Sequence, residues 1–323
     1  MTPAQLAAIE PLVPLLATQP QLAALEWMAP LLAAQPQLAA VEWMAPLLAA
    51  QQPPMTLAEF FALVPRAWLA GFAAVLGLII GSFLNAVIYR LPRDVAVSKP
   101  RSFCPRCKSL IPWYRNIPLA SWVMLGGRCA DCREPISVRY PLVELGTGVL
   151  FAAAVYRWGI SWSALSSIVF GCAMLVLALV DYDFKILPNA ITLPGIAVGV
   201  LLSFVDPRLD WLDSLIGALV AGGLLYGVAW LYLKLRAQPG MGMGDVKMIA
   251  MIGAFLGWKG ALLTILIGSF IGSIVGLSLM KLKGREWDYA LPFGTFLALA
   301  AVIVDWGGAE LLAWYWRIMG LGG

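Results

Sequence analysis

The 323-residue chain contains no histidine and little charge: Asp, Glu, Lys and Arg make up 12% of it against 61% hydrophobic residues, with a mean hydropathy of +0.83. Soluble domains are usually about 25% charged, so this composition excludes an ordinary soluble protein and points to a polytopic membrane protein. The missing histidine removes the commonest ligand of a catalytic zinc, which keeps an open position beside His or carboxylate ligands. A glycine-rich nucleotide fingerprint following a strand is also missing. The N-terminal region lacks the charged segment and cleavage site of a signal peptide. No feature calls for a nucleic-acid partner.

Long apolar runs, by contrast, are plentiful. Stretches near 67–89, 142–158, 162–181, 189–205, 213–235, 245–258, 260–281 and 292–306 are candidates to cross a bilayer, which takes about 17 to 25 residues each. The expected fold is therefore all-α, with about eight transmembrane helices, of which 245–258 is the shortest. Between Arg90 and Arg139 stand ten basic residues against Asp94, Asp131 and Glu134, a balance of +7 that leaves −3 for the rest. Basic loops stay cytoplasmic, which puts this segment inside and the N-terminus outside. Later loops alternate accordingly: Lys185, Lys234, Arg236 and Lys247 share its side, whereas Asp206, Asp210, Asp213 and Asp305 fall opposite.

Four parts are expected. Residues 1–54 hold a 16-residue repeat (QLAAIEPLVPLLATQP, QLAALEWMAPLLAAQP, QLAAVEWMAPLLAAQQ), read as a low-complexity extension; its prolines prevent one continuous helix. Met55 follows and looks like an ordinary start, so the functional chain is expected to begin there. Residues 55–90 hold the first span, 91–140 a small cytoplasmic module, and 141–323 the membrane domain.

The module carries Cys104-x2-Cys107 and Cys129-x2-Cys132, separated by 21 residues. On the reducing side of the membrane disulfides are not expected. Two such knuckles supply four soft ligands for a closed, structural Zn2+ in a zinc-ribbon-like fold. A redox dithiol would need only one of them. Cys172 stands alone in an apolar run and reads as a small core residue.

Ionisable residues at membrane depth are functional by default. Glu144, in RYPLVELGTG, is explained equally by catalysis or by an interfacial ion pair with Arg139. In LVLALVDYDFKILPN, Asp183 and Lys185 read as interfacial, and Asp181 is the deeper carboxyl. Asp245, in GMGMGDVKM, lies 64 residues on, and two intervening spans return the chain to the same face. Two carboxylates sharing one site cannot both ionise, so one stays protonated while the other acts as base, which suits activation of water against a peptide carbonyl. Gly240, Gly242 and Gly244 are expected to take positive φ and let the backbone approach an extended substrate. Against this stands a simpler reading, in which Asp245 merely caps a helix. A transporter using both acids as a proton relay is a further rival, though no duplication of spans supports it.

Eight blocks in order, GSFLNAVIYRLP at 81–92, CPRC at 104–107, IPWYRNIPLASW at 111–122, CADC at 129–132, RYPLVEL at 139–145, DYDFKILPN at 181–189, GMGMGDVKM at 240–248 and LPFGTFLALA at 291–300, carry a resemblance. The chain resembles the type IV prepilin peptidases, leader peptidases and N-methyltransferases of pilus and type II secretion systems. The resemblance implies an intramembrane aspartic protease of the GxGD type in the bacterial inner membrane, with Asp181 and Asp245 as its catalytic pair. Its substrates would be prepilins and pseudopilins, whose short basic leader ends in Gly before Phe and stays cytoplasmic. It further implies S-adenosylmethionine as methyl donor, with Gly81, Asn85, Pro118 and Glu144 as contributors to that site. The oligomeric state is left open.

Overall fold

A computed structural model describes residues 61, 63–97, 102–238, 240–283 and 292–319. They belong to the second of two compact units, Phe61–Gly323. The 16-residue repeat and the Met55 start lie outside the described residues.

Among the described residues of this unit there are eight α-helices: α1 (Arg66–Arg90), α2 (Ala120–Met124), α3 (Arg139–Trp158), α4 (Trp162–Phe184), α5 (Asn189–Ser203), α6 (Trp211–Arg236), α7 (Met243–Lys283) and α8 (Phe293–Ile318). No strand is present among the described residues; two isolated antiparallel bridges, Phe103 with Leu110 and Arg128 with Pro135, are the nearest approach to one. Among the described residues, five helical segments are long and apolar enough to cross a membrane: Arg66–Arg93, Trp162–Phe184, Trp211–Arg236, Met243–Lys281 and Phe293–Ile318.

The eight expected spans differ from these five for local reasons. Helix α3 includes Arg139, Glu144 and Arg157, and α5 has only 15 residues with Pro194 inside it. The two stretches at 245–258 and 260–281 both fall in α7, which is broken at Gly257, where φ 69° and ψ 176° are non-helical. Only glycine takes such a conformation without strain.

Helix ends follow from the sequence. Ser161 caps α4 by accepting a hydrogen bond from the Ala164 N–H, and Lys185 ends it in the left-handed region with its N–H on the Asp181 carbonyl at 2.8 Å. Helix α6 has Asp213 in its first turn and Lys234 and Arg236 in its last, each the sign the macrodipole favours.

Lipid tails are as apolar as leucine, so packing rather than water exclusion holds such helices together. The main core joins Phe170, Met174 and Leu177 of α4 to Met248, Ile249 and Ile252 of α7 and Leu297, Ala298 and Ala301 of α8. A smaller cluster seats α1 (Leu84, Ile88) and α3 (Val143) on Val176 and Val180 of α4. Backbones meet directly where α6 crosses α7. A Cβ on Gly217 would stand 2.3 Å from the Gly253 carbonyl oxygen, and one on Gly253 would stand 2.2 Å from that of Gly217. Ser214 Oγ donates to the Ala254 carbonyl at 2.6 Å in the same crossing.

One end of the bundle is closed by charge. Arg208 meets Asp206 at 2.9 Å and Asp305 at 3.2 Å, both carboxylates being about 95% covered. Ser163 donates to Asp206 at 2.8 Å, and Ser167 donates to Asp305. Burial alone would raise the Asp206 carboxyl, but hydrogen bonds and charge from Arg208 outweigh it and hold the group below its ordinary value. At the other end lie the last turn of α4 and the first turns of α3, α5, α7 and α8.

Candidate active site

Asp181 occupies the last turn of α4 and is 5% exposed. Its Oδ2 accepts a hydrogen bond from the Thr295 N–H at 2.7 Å and lies 3.2 Å from Thr295 Oγ1. Thr295 is in the first turn of α8, where backbone N–H groups have no partner within the helix, so a carboxylate from α4 takes up one of them. Gly294 stands beside the same carboxyl: a Cβ there would come within 3.0 Å of both Asp181 Cγ and Oδ2.

Asp245 is the third residue of α7 and half-buried. Its N–H donates to the Gly242 carbonyl at 3.1 Å, and its carboxyl accepts from the Gly242 backbone. This reciprocity is the logic of a capping box, so the capping role weighed from the sequence is realised in part. The Asp181 carboxylate acts electrostatically on Asp245. Leu187, in the α4–α5 turn, lies between their neighbours: its side chain would meet a Cβ on Gly244 at 2.9 Å and one on Gly294 at 3.1 Å. Topology thus brings the two acids to one place.

The expected role of the glycines needs correction. Gly242 and Gly244 do not have positive φ. Close approach explains two of the three: Gly244 packs on Leu187, and Gly240 would drive a Cβ to 2.3 Å from the Tyr232 ring, whereas a Cβ on Gly242 would make only an ordinary contact with Asp245 Oδ2 at 3.5 Å. Of the two readings weighed for Glu144, the ion pair with Arg139 is not the one formed. Arg139 donates instead to Asp183 and to the Leu179 carbonyl. Lys247 donates to Asn189 Oδ1 at 2.8 Å, fastening the start of α7 to that of α5.

The four cysteines converge, with all sulfurs within 4.8 Å of one another. Cys104 and Cys132 Sγ are 3.8 Å apart. A tetrahedron with Zn–S bonds of about 2.3 Å has edges of about 3.8 Å, so the donor set fits zinc. The knuckles are built alike. The N–H of Cys104 meets the Ser109 carbonyl and that of Cys129 meets the Glu134 carbonyl, while Lys108 and Arg133, each following a second cysteine, take φ 59° and 61°. Hydrogen bonds from the Ser109 side chain and then its backbone lower the Cys107 thiol to about 6, which favours the thiolate a metal requires.

Between the cysteine module, α1 and α3 lies a cavity of about 440 Å³ whose walls include Asn85, Tyr89, Trp122, Tyr140 and Glu144. Asn85 Nδ2 donates to the Tyr140 carbonyl at 3.0 Å, and Glu144 Oε2 accepts from the Leu119 N–H at 2.8 Å. Leu119 holds φ 59°, unusual for a leucine, to present that N–H. Of the four residues tied by resemblance to the methyl donor, Asn85 and Glu144 line this cavity. Gly81 instead lets α1 touch α3, since its Cβ would stand 2.7 Å from Glu144 Cα, and Pro118 precedes Leu119 in the chain. Sequence reasoning passed over Thr295, Gly294 and Leu119. For the first two the available signal was the Pro-Phe-Gly-Thr opening of an apolar run at 292–295.

Residues 75–158 match the bacterial peptidase A24 N-terminal domain, and residues 168–277 match the type IV leader peptidase family. A prepilin leader peptidase/N-methyltransferase of Pseudomonas putida is 36% identical over 288 residues, covering 82% of this chain and 100% of that protein. Its namesake in Xanthomonas campestris pv. campestris is 38% identical over 272 residues (77% and 95%), and that of Myxococcus xanthus 42% over 216 (67% and 64%). No solved structure matches the chain. Relatives of this similarity and coverage, together with the two domain matches, place the chain in the type IV leader peptidase family.

Proposed function

We propose that this protein removes the leader from prepilins and pseudopilins at the cytoplasmic face of a bacterial inner membrane and methylates the new N-terminal amine. The observation that carries the peptidase reading is the meeting of Asp181 and Asp245 at one end of the bundle, each half-satisfied by backbone N–H groups. The relatives' name, prepilin leader peptidase/N-methyltransferase, supports both activities. One carboxylate takes a proton from water as its oxygen adds to the scissile carbonyl carbon; the other, protonated, gives its proton to the carbonyl oxygen. The tetrahedral intermediate then collapses: the C–N bond breaks, the departing amine takes up the proton held by the first carboxyl, and one hydroxyl of the intermediate returns its proton to the second carboxylate.

An eight-span topology, counting α3, α5 and both halves of α7, puts the acids and the +7 segment on the cytoplasmic side under the positive-inside rule. The four-cysteine module there holds a structural Zn2+ and so keeps a loop with little core of its own folded. The 440 Å³ cavity is the methyl-donor site, within the usual range for small-molecule pockets. S-adenosylmethionine, when bound, supplies an electrophilic methyl group. Tyr89, Trp122 and Tyr140 offer aromatic faces to a purine and a cation, and Glu144 is placed to accept the proton shed by the amine.

The test is mass spectrometry of a prepilin incubated with purified protein, following leader loss and methylation separately. Asp181→Asn and Asp245→Asn are each expected to slow cleavage by roughly a hundred- to ten-thousandfold while remaining folded. Cleavage at the wild-type rate by either variant overturns the peptidase reading.

A further inference from the structure

The two acids are not equivalent in their surroundings. Asp181 Oδ2 has the Thr295 N–H at 2.7 Å, Thr295 Oγ1 at 3.2 Å and a backbone hydrogen bond from Gly294. Asp245 has a backbone hydrogen bond from Gly242. Donors that point at a carboxylate favour its ionised form. The charged groups acting on Asp181 are Lys185 at the end of its own helix and Asp245 from α7. From α8 come the Thr295 N–H and hydroxyl and the Gly294 backbone.

The hydroxyl of Thr295 has a second acceptor, the Ala178 carbonyl at 3.0 Å. A hydroxyl has one hydrogen and two lone pairs, so it can satisfy only one acceptor at a time. With Asp181 ionised, the hydrogen turns to Oδ2. With Asp181 protonated, the hydrogen turns to Ala178, and the hydroxyl oxygen accepts from the carboxyl.

We propose that Thr295 is a positioning residue of the peptidase centre, one that makes Asp181 the ionised, water-activating base and leaves Asp245 to hold the proton. The hydroxyl follows the proton through turnover: it faces Asp181 before water is deprotonated and faces the Ala178 carbonyl once Asp181 has taken that proton. Gly294 makes this contact possible, because a side chain there would crowd the carboxyl it serves. The proposal rests on the peptidase reading above.

Thr295→Val keeps the backbone N–H and the shape but removes the hydroxyl, whereas Thr295→Ser keeps both donors. With a prepilin as substrate and cleavage followed from pH 5 to 9, T295V is expected to lose roughly ten- to hundredfold in kcat with KM within about twofold. The acid limb of its rate profile should move up by about one pH unit, since a base with fewer donors gives up its proton less readily. T295S should restore both. A T295V enzyme with wild-type kcat and profile overturns the proposal. Equal losses in T295V and T295S, or a loss accompanied by a lower unfolding midpoint, assign Thr295 to packing and overturn it as well. D181N and D245N run alongside separate the two ideas: if both are inactive while T295V is unaffected, the peptidase reading stands and this one fails.

Discussion

Gly217→Ala adds one methyl group where α6 and α7 touch through their backbones. Its Cβ would stand 2.3 Å from the Gly253 carbonyl oxygen and 2.6 Å from the Gly257 carbonyl carbon. A normal carbon–oxygen contact is about 3.3–3.6 Å, so the helices would have to part by roughly 1 Å. The obstacle is backbone, which cannot rotate aside as a side chain can. Overpacking of this kind costs about 1–3 kcal/mol. The effect also reaches the site, because Gly253 lies eight residues after Asp245 in the same rigid helix, a span of about 12 Å. A displacement of about 1 Å at a reacting group costs around a hundredfold in rate. Gly223→Ala on the same α6 is the control, with nothing within 4 Å of the added carbon. It should be neutral or stabilising by up to about 1 kcal/mol. Unfolding in graded SDS, read by tryptophan fluorescence, measures the first quantity, and prepilin cleavage measures the second. G217A matching G223A in both would refute the backbone-contact argument.

Cys104→Ser, which removes the buried sulfur of the cluster, should abolish stoichiometric zinc and lower the unfolding midpoint, both checked by metal analysis and thermal melting. Arg208→Met leaves Asp206 and Asp305 buried without their cation and should cost a few kcal/mol, toward the low end of about 3–5 because the guanidinium is 27% exposed. Unchanged SDS resistance would argue against that cluster as a fastening. Glu144→Gln should reduce methylation of a pre-cut pilin peptide while leaving leader removal at the wild-type rate; equal loss of both would place Glu144 in the scaffold.

Legibility in the sequence followed the range of the interaction. Helix-forming runs, the knuckles and the return of Asp245 to the level of Asp181 rest on composition, short spacing and the counting of spans, and these can be read along the chain. Contacts between distant segments could not be. Thr295 meets Asp181 across 114 residues, and Arg139 chose Asp183 across 44 rather than Glu144 five positions away. Helix phase explains the second case: Glu144 turns toward the Leu119 N–H and the cavity, while Arg139, at the start of α3, faces the end of α4. The glycines of GMGMGD misled for a related reason. Their value lies in what stands opposite them, Tyr232 and Leu187, and a sequence does not display its opposite wall.

Leu187 fills the space between Gly244 and Gly294, the residues adjoining Asp245 and contacting Asp181. The gap between the start of α7, which bears Asp245, and the start of α8, whose Thr295 holds Asp181, is therefore set by the width of one aliphatic side chain carried on a short turn. A smaller residue at 187 would let the pair draw together and a larger one would wedge it apart, with no change to either acid or to the helices that bear them. Reach between the two carboxyls thus becomes a quantity that single substitutions in a connecting segment can adjust, independently of the chemistry the carboxyls perform.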